Sequence, residues 1–182
     1  MSEKQIAILY HGGCPDGFGS AYAAWKKFGN EAEYIPVKHG LPAPEGLSGK
    51  KLYFIDFCYS EEIMKALISE AESVIVLDHH LGNKDVVEKM PEHIFDSQRS
   101  GSTIAWNYFH PDVPVPILLK YVEDGDLYLF KLPDSRAVLA YAYAQKFSFE
   151  EWDKLVEEFE NPETRAKLIE KGKIYAEHFA IL

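Results

Sequence analysis

The chain has 182 residues, with 29 acidic and 19 basic side chains and a formal net charge of −10 at pH 7, so it lacks the broad basic face that long duplex nucleic acid would require. An anionic substrate would need help, which bound divalent cations can supply. With 26% charged and 14% aromatic residues it reads as globular rather than disordered or fibrous, long enough for one domain burying roughly 70% of its unfolded surface and at most a small second lobe.

The start, MSEKQIAILYHGG, has a short apolar run, Ile6 to Tyr10, and no small-residue cleavage site, so it does not read as a signal peptide. No run approaches the ~18 apolar residues of a membrane span. Cys14 and Cys58 make no disulfide framework, and a cytoplasmic location is expected. Gln5 to Tyr10 reads as a buried strand opening into the loop His11-Gly12-Gly13, and Phe18 to Phe28 as a helix. Glu33 to Val37 and Lys51 to Ile55 are short β-branched and aromatic runs. A helix start at Ser60 leads to Ala71, and Val74 to Leu77 is a further strand. Strands alternating with helices predict an α/β fold with a parallel sheet in three layers, whose ligand crevice lies at the carboxyl ends of the strands. Beyond Pro133 only helices are expected, flanking the sheet. Ser148 with Glu151 suggests a capping box and Asn161-Pro162 an N-cap with proline at the first helical position, while Leu168, Ile169, Tyr175 and Phe179 form an apolar stripe. The apolar ending Ile181-Leu182 suggests that more protein follows or that a partner covers this end.

The polar residues at the predicted strand ends and loops are His11, Cys14, Asp16, Asp56, Asp78, His79, His80, Asp124 and Asp126. These are metal-ligand types, and carboxylates with imidazoles suit Mn²⁺, Mg²⁺, Fe²⁺ or Zn²⁺. Taken singly, His11 reads as a loop residue, Asp56 as a cap for the next helix, and Asp124-Gly125-Asp126 as a turn. Asp78-His79-His80 resists such a reading. In a strand interior these groups would be desolvated and unpaired, at several kcal/mol each if charged. Other chemistries of the strand-loop-helix segment fail at named residues. A P-loop lacks its lysine, none occurring between His11 and Lys26; the dinucleotide fingerprint meets Tyr22 where its third glycine belongs; a cysteine phosphatase meets Ser20 where its arginine belongs.

His11-x-x-Cys14-Pro-Asp16-Gly17, Phe54-Ile-Asp56-Phe, Leu77-Asp78-His79-His80 and Asp124-Gly-Asp126-Leu-Tyr together resemble, in order, the motifs of the DHH phosphoesterase superfamily. The nearest likeness is to the branch labelled exopolyphosphatase-related, with a Cys-Pro-Asp-Gly first motif and Arg99-Ser100-Gly101-Ser-Thr-Ile-Ala105-Trp106. The resemblance spans roughly residues 5 to 135, which divides the chain into a DHH catalytic domain, 1–135, and a helical extension or linker, 136–182. It implies that Asp56 bridges two metals, with Asp16, His79 and the fourth-motif aspartate completing one site and His11 belonging to the other. For that aspartate the resemblance favours Asp126 over Asp124, because an apolar residue, Phe130, follows four positions later. His80 is implied to face the scissile phosphate as a catalytic group, and Asp78 to orient an imidazole by a hydrogen bond. Arg99 and the helix start at Ser100 and Gly101 are candidate phosphate contacts.

Two departures stand out. Cys14 occupies a position where many of these proteins carry aspartate, so the ion held through His11 is expected to be weaker, different or absent. No segment resembles the DHHA1 lobe that usually follows, which makes the chain either a fragment or a protein holding its substrate by fewer contacts. The expected activity is metal-dependent hydrolysis of a phosphoester or phosphoanhydride bond, with one or two ions, foremost Mn²⁺. Candidate substrates are a short single-stranded oligonucleotide, a nucleoside bisphosphate, a cyclic dinucleotide or polyphosphate. No membrane or long duplex partner is expected, and a homodimer stays open. The alternative is a catalytically weak protein that binds metal and nucleotide.

Overall fold

The computed structural model describes residues 4–179. Strand β1 (Ile6–His11) buries Ala7, Ile8 and Leu9 completely, as a strand covered on both faces must. With β2 (Ala32–Val37), β3 (Lys51–Ile55), β4 (Ser73–Asp78) and β5 (Glu92–Phe95) it forms an all-parallel sheet of order β2-β1-β3-β4-β5. The edge strand β2 carries Pro36, opposite Tyr10 of β1.

Alternation along the strands separates two apolar layers. Ile8, Tyr10, Tyr53, Ile55, Ile75 and Leu77 pack against helices α1 (Pro15–Phe28) and, beyond two short helical segments, α4 (Gly101–Phe109). Leu9, Leu52, Phe54, Val74 and Val76 turn the other way, towards Met64 of α2 (Glu61–Glu70) and Val87 of α3 (Lys84–Val87). The molecule is therefore an α/β protein with helices on both faces of a parallel sheet.

The remaining helices, α5 (Ile117–Asp126), α6 (Ser135–Ala144), α7 (Phe149–Glu160) and α8 (Pro162–Phe179), follow without further strands among the described residues. The three beyond Pro133, expected to flank the sheet, touch it only in part and otherwise build an outer tier with α5 on α1 and on one another. Trp152 of α7 is fully buried with its ring 5.0 Å from that of Phe18 on α1, and α7 meets the sheet where Phe149 packs on Tyr34 of β2. Asn161 caps α8 through its side-chain oxygen, which accepts the amides of Glu163 and Thr164. Ser148 stands at the N-cap of α7, but its side chain makes no capping bond, so the expected capping box is not formed. In the expected stripe on α8, Leu168 is buried and Tyr175 exposed; the Phe179 side chain and Ile181-Leu182 lie outside the described residues. No helix among the described residues is long and apolar enough to cross a membrane.

After β1 the chain runs to β2 on one side and then to β3 on the other, so the direction of winding reverses between β1 and β3. Such a switch point opens a crevice at the carboxyl ends of the strands. In register, Tyr10 lies beside Ile55 and Ile55 beside Leu77, which brings His11, Asp56 and Asp78 side by side at that crevice.

Candidate metal centre

Helix α1 begins at the crevice and supplies Asp16, whose carboxylate is 2% exposed. One oxygen accepts the amide of Gly101 at 2.8 Å and the other that of Ser102 at 3.1 Å, so Asp16 caps α4 from a different element, a favourable place for a negative group. Gly101, expected to touch substrate phosphate, here gives its amide to Asp16. A Cβ at Gly101 would stand 2.5 Å from Cβ of Asp56, so only glycine lets α4 start this close to the site. Gly17 has a similar role, since a Cβ there would lie 1.9 Å from the backbone oxygen of His11.

Asp56 follows β3 and is 1% exposed. Its φ is 57°, a left-handed backbone uncommon outside glycine, asparagine and aspartate. It does not cap α2; it sits in the middle of the cluster. Nε2 of His79 lies 3.1 Å from an oxygen of Asp56, 3.5 Å from one of Asp126 and 3.8 Å from one of Asp16. Three carboxylates thus converge on one imidazole nitrogen, and their ion-pair partners among the described residues are histidines. His11 joins from β1, with Nδ1 3.6 Å from the second oxygen of Asp56 and 3.5 Å from Sγ of Cys14. The ligand atoms fall into three overlapping groups, Asp16–His79–Asp126, Asp56–His79–His80 and His11–Cys14–Asp56, in each of which they lie within 4.8 Å of one another.

Among protein groups alone, this crowding shifts protons. Burial, and then the neighbouring carboxylates of Asp56 and Asp126, push Asp16 up to about 8. Burial and Asp56 likewise raise Asp126. Asp56 goes the other way: burial alone would raise it, but hydrogen bonds with His11 and His79 hold it below the usual carboxylate range. Hydrogen bonds to Asp56 and Cys14 lift His11 to about 10. Burial opposes the charge on His79, yet the surrounding carboxylates raise it to about 9.

Asp78 is fully buried and saturated. One oxygen lies 2.7 Å from Nδ1 of His80 and accepts the amides of His79 and His80; the other accepts the side chain of Asn83 at 2.7 Å. It stands outside the metal-ligand groups and orients His80, raising its pKa.

Asp124 and Asp126 separate clearly. Both lie in the last turn of α5 rather than in a turn. Asp124 accepts the amides of Lys131 and Leu132 with its carboxylate and those of Leu129 and Phe130 with its backbone oxygen, so it shapes the loop that follows. Asp126 reaches the cluster.

Arg99 donates Nε to Glu123 at 2.9 Å, and the same carboxylate accepts the Ser100 amide and the Thr103 hydroxyl. Glu123 and Asn83, which hold the α4 start and Asp78 in place, were not singled out from sequence; nor was His39, whose ring packs 4.6 Å from that of Phe57 beside His11. These pairings arise through space and leave no local pattern. Next to Asp16 and Asp126 lies a cavity of about 320 Å³ that includes Tyr128, Phe130, Arg136 and Tyr143 in its lining.

Fold and site together define an α/β protein with a cluster of carboxylates and imidazoles at the switch point of a parallel sheet. An uncharacterized protein, R106, of Acanthamoeba polyphaga mimivirus is 33% identical over 168 residues, covering 83% of this chain and 40% of the viral protein. The crystal structure of an uncharacterized protein from Helicobacter pylori G27 is similar in fold, with a TM-score of 0.65 at 16% identity, over 94% of this chain and 62% of that one. The chain therefore spans less than two thirds of the viral protein and of the Helicobacter pylori chain. No protein-family model matches it.

Proposed function

We propose that this chain is a metal-dependent phosphoesterase, hydrolysing a phosphoester or phosphoanhydride bond of a small phosphorylated substrate, as its resemblance to the DHH superfamily implies. The observation that carries this reading is the convergence of Asp16, Asp56 and Asp126 on Nε2 of His79 within 3.8 Å. Two of these carboxylates, Asp16 and Asp56, are buried and Asp126 is half-buried; with only histidines as counter-charges among the described residues they are costly to desolvate, and a divalent cation would offset that cost. The donors, oxygen with imidazole nitrogen, fit Mn²⁺, Mg²⁺, Fe²⁺ or Zn²⁺.

Asp16, Asp56, His79 and Asp126 would hold one ion, with His11 and Cys14 offering a second position that shares Asp56. A bound ion supplies Lewis-acid charge to phosphoryl oxygens. The protein's own residues do the rest. Asp78 fixes Nδ1 of His80 and so orients the partly exposed imidazole, which donates a proton to the departing oxygen. Glu123 anchors Arg99 through Nε, and the other end of the guanidinium is offered to a phosphate. Asp16 and the α4 start lock each other in place, which keeps the carboxylate from swinging out of the cluster.

The test combines metal analysis of the purified protein with hydrolysis of an aryl phosphodiester, oligonucleotides, a nucleoside bisphosphate, a cyclic dinucleotide and polyphosphate, all with Mn²⁺ supplied. The wild type should bind metal and cleave at least one of them, and Asp56→Ala should lose most metal and all turnover while keeping its circular dichroism. Full metal content in Asp56→Ala would refute the centre. A metal-replete wild type inert on every substrate would favour the binding protein instead.

A further inference from the structure

We propose that His11, Cys14 and Asp56 form a thiolate metal site selective for a thiophilic ion such as Zn²⁺, beside the oxygen-rich position of Asp16, Asp56, His79 and Asp126. The centre would then be chemically unsymmetrical and Mn²⁺ alone would not fill both halves. This rests on the reading of the cluster as a metal centre.

Three observations support it. The donor atoms come from separate segments, the end of β1, the residue preceding α1 and the residue after β3, and still meet. Their spacing suits one small ion: ligands about 2.0–2.3 Å from a tetrahedral Zn²⁺ stand roughly 3.3–3.6 Å apart. Cys14 Sγ lies 3.5 Å from His11 Nδ1, and that nitrogen 3.6 Å from Asp56 Oδ2. Cys14 is also held in position, because its sulfur accepts the Gly17 amide at 3.3 Å and caps α1. Coordination leaves that role intact, since the capping amide uses a separate lone pair, and it releases the thiol proton to solvent.

The two halves differ in the softness of their donors. Replacing one of a set of oxygen and nitrogen ligands by sulfur biases a site towards zinc and away from magnesium and manganese. Asp56 faces both halves, with Oδ1 3.1 Å from Nε2 of His79 and Oδ2 3.6 Å from Nδ1 of His11, so each half depends on the same bridging carboxylate.

The experiment is titration of the full chain with Co²⁺, read by absorption and by metal analysis. The wild type should show a sulfur-to-cobalt charge-transfer band that disappears in Cys14→Ser and persists in Cys58→Ser. Zn²⁺ should abolish the band where equimolar Mn²⁺ does not. Serine and aspartate are good N-cap residues, so Cys14→Ser and Cys14→Asp should both fold. Loss of the direct ligand in Cys14→Ser should weaken Zn²⁺ binding by at least the roughly 10–100-fold seen when a ligand's supporting partner is removed. Cys14→Asp should let Mn²⁺ compete. Bound cobalt without the band in wild type, or a band surviving in Cys14→Ser, would overturn the thiolate site while leaving the neighbouring position standing. Binding of no divalent ion at all would overturn the whole centre.

Discussion

His79 and His80 are adjacent in the chain and both lie near Asp56, at 3.1 and 3.7 Å, but their nearest carboxylates differ, Asp56 for His79 and Asp78 at 2.7 Å for His80. His79 sits among Asp16, Asp56 and Asp126, whereas His80 leans on Asp78, which nothing else in the cluster shares as a counter-charge. His80→Ala should therefore keep metal content near wild type while turnover falls roughly 10²–10⁴-fold, the usual contribution of a positioned acid; His79→Ala should lower both. Equal metal loss in the two variants would make His80 a ligand, as its place in the Asp56–His79–His80 group allows. The hydrogen bond to Asp78 raises the His80 pKa above its ordinary value. A raised pKa keeps the acid form populated to higher pH, so the rate should decline on the alkaline side as His80 loses its proton. Asp78→Asn removes that support and should move the decline to lower pH, which a pH–rate profile would show. Asp78-His79-His80 stood out in the sequence because ionisable groups directly after a buried run resist a structural reading, whereas His11 and Asp56 taken singly have one and stood out only as part of the ordered set. Glu123 and Asn83 were not legible: each is an ordinary surface residue type, and its task depends on a partner far away in sequence or on a turn whose shape appears only in three dimensions.

At the scale of elements, the site depends on α4 starting against β3. The start is fixed by Asp16 and kept clear by Gly101, and a methyl group there would press on Asp56. Gly101→Ala should destabilise the protein by roughly 1–3 kcal/mol, the usual cost of overpacking, and weaken metal binding as well, because the displaced side chain, Asp56, is a proposed ligand. Chemical denaturation and metal titration of the variant would check both; unchanged metal affinity would mean that α4 can retreat without disturbing Asp56. Of the elements themselves, β1, β2, β3, β4, α1 and α2 could be read from apolar runs and their punctuation. Strand β5 could not, since it is four residues long and three of them are exposed. Helix α5 was hidden by Asp124-Gly125-Asp126, whose turn chemistry is overridden by packing: Leu118, Leu119 and Val122 are buried along one side of the helix. In the other direction, the Ser148–Glu151 pattern promised a capping box that the side chain does not make. Burial of Trp152, Leu155 and Phe159 holds α7 without it.

Across the whole molecule, the candidate ligands come from β1, α1, the residues following β3 and β4, and α5, so the cluster exists only when the sheet and its outer helices are assembled together. Trp152 belongs to the same buried cluster as Ile8 and Ile55 of the sheet, which ties the helices after residue 135 to the layer that carries Asp16. An ion that binds the folded chain and not the unfolded one stabilises it by about 2.7 kcal/mol at 100 times its Kd. For a chain of this size that corresponds to roughly 5–10 °C in Tm. Thermal unfolding with and without Mn²⁺ or Zn²⁺ should show such a shift in wild type and little in Asp56→Ala. The shift should also grow with pH, because Asp16, at about 8, and His79, at about 9, carry protons at neutrality that an ion must displace. A wild-type shift independent of pH would mean that these groups do not bind the ion.

The two ends of the sheet bear on how the protein behaves in company. Any open strand edge is a template onto which another polypeptide can add, the usual beginning of fibrils and exchanged dimers. Here one edge is β2, with Pro36, a residue that has no amide to offer and that sheets tolerate at their borders. The opposite edge is β5, too short to template much and with Glu92 and His93 turned to solvent. Both borders discourage recruitment by their own chemistry, so the row of strands that aligns the cluster can stay open at each side and still resist growing.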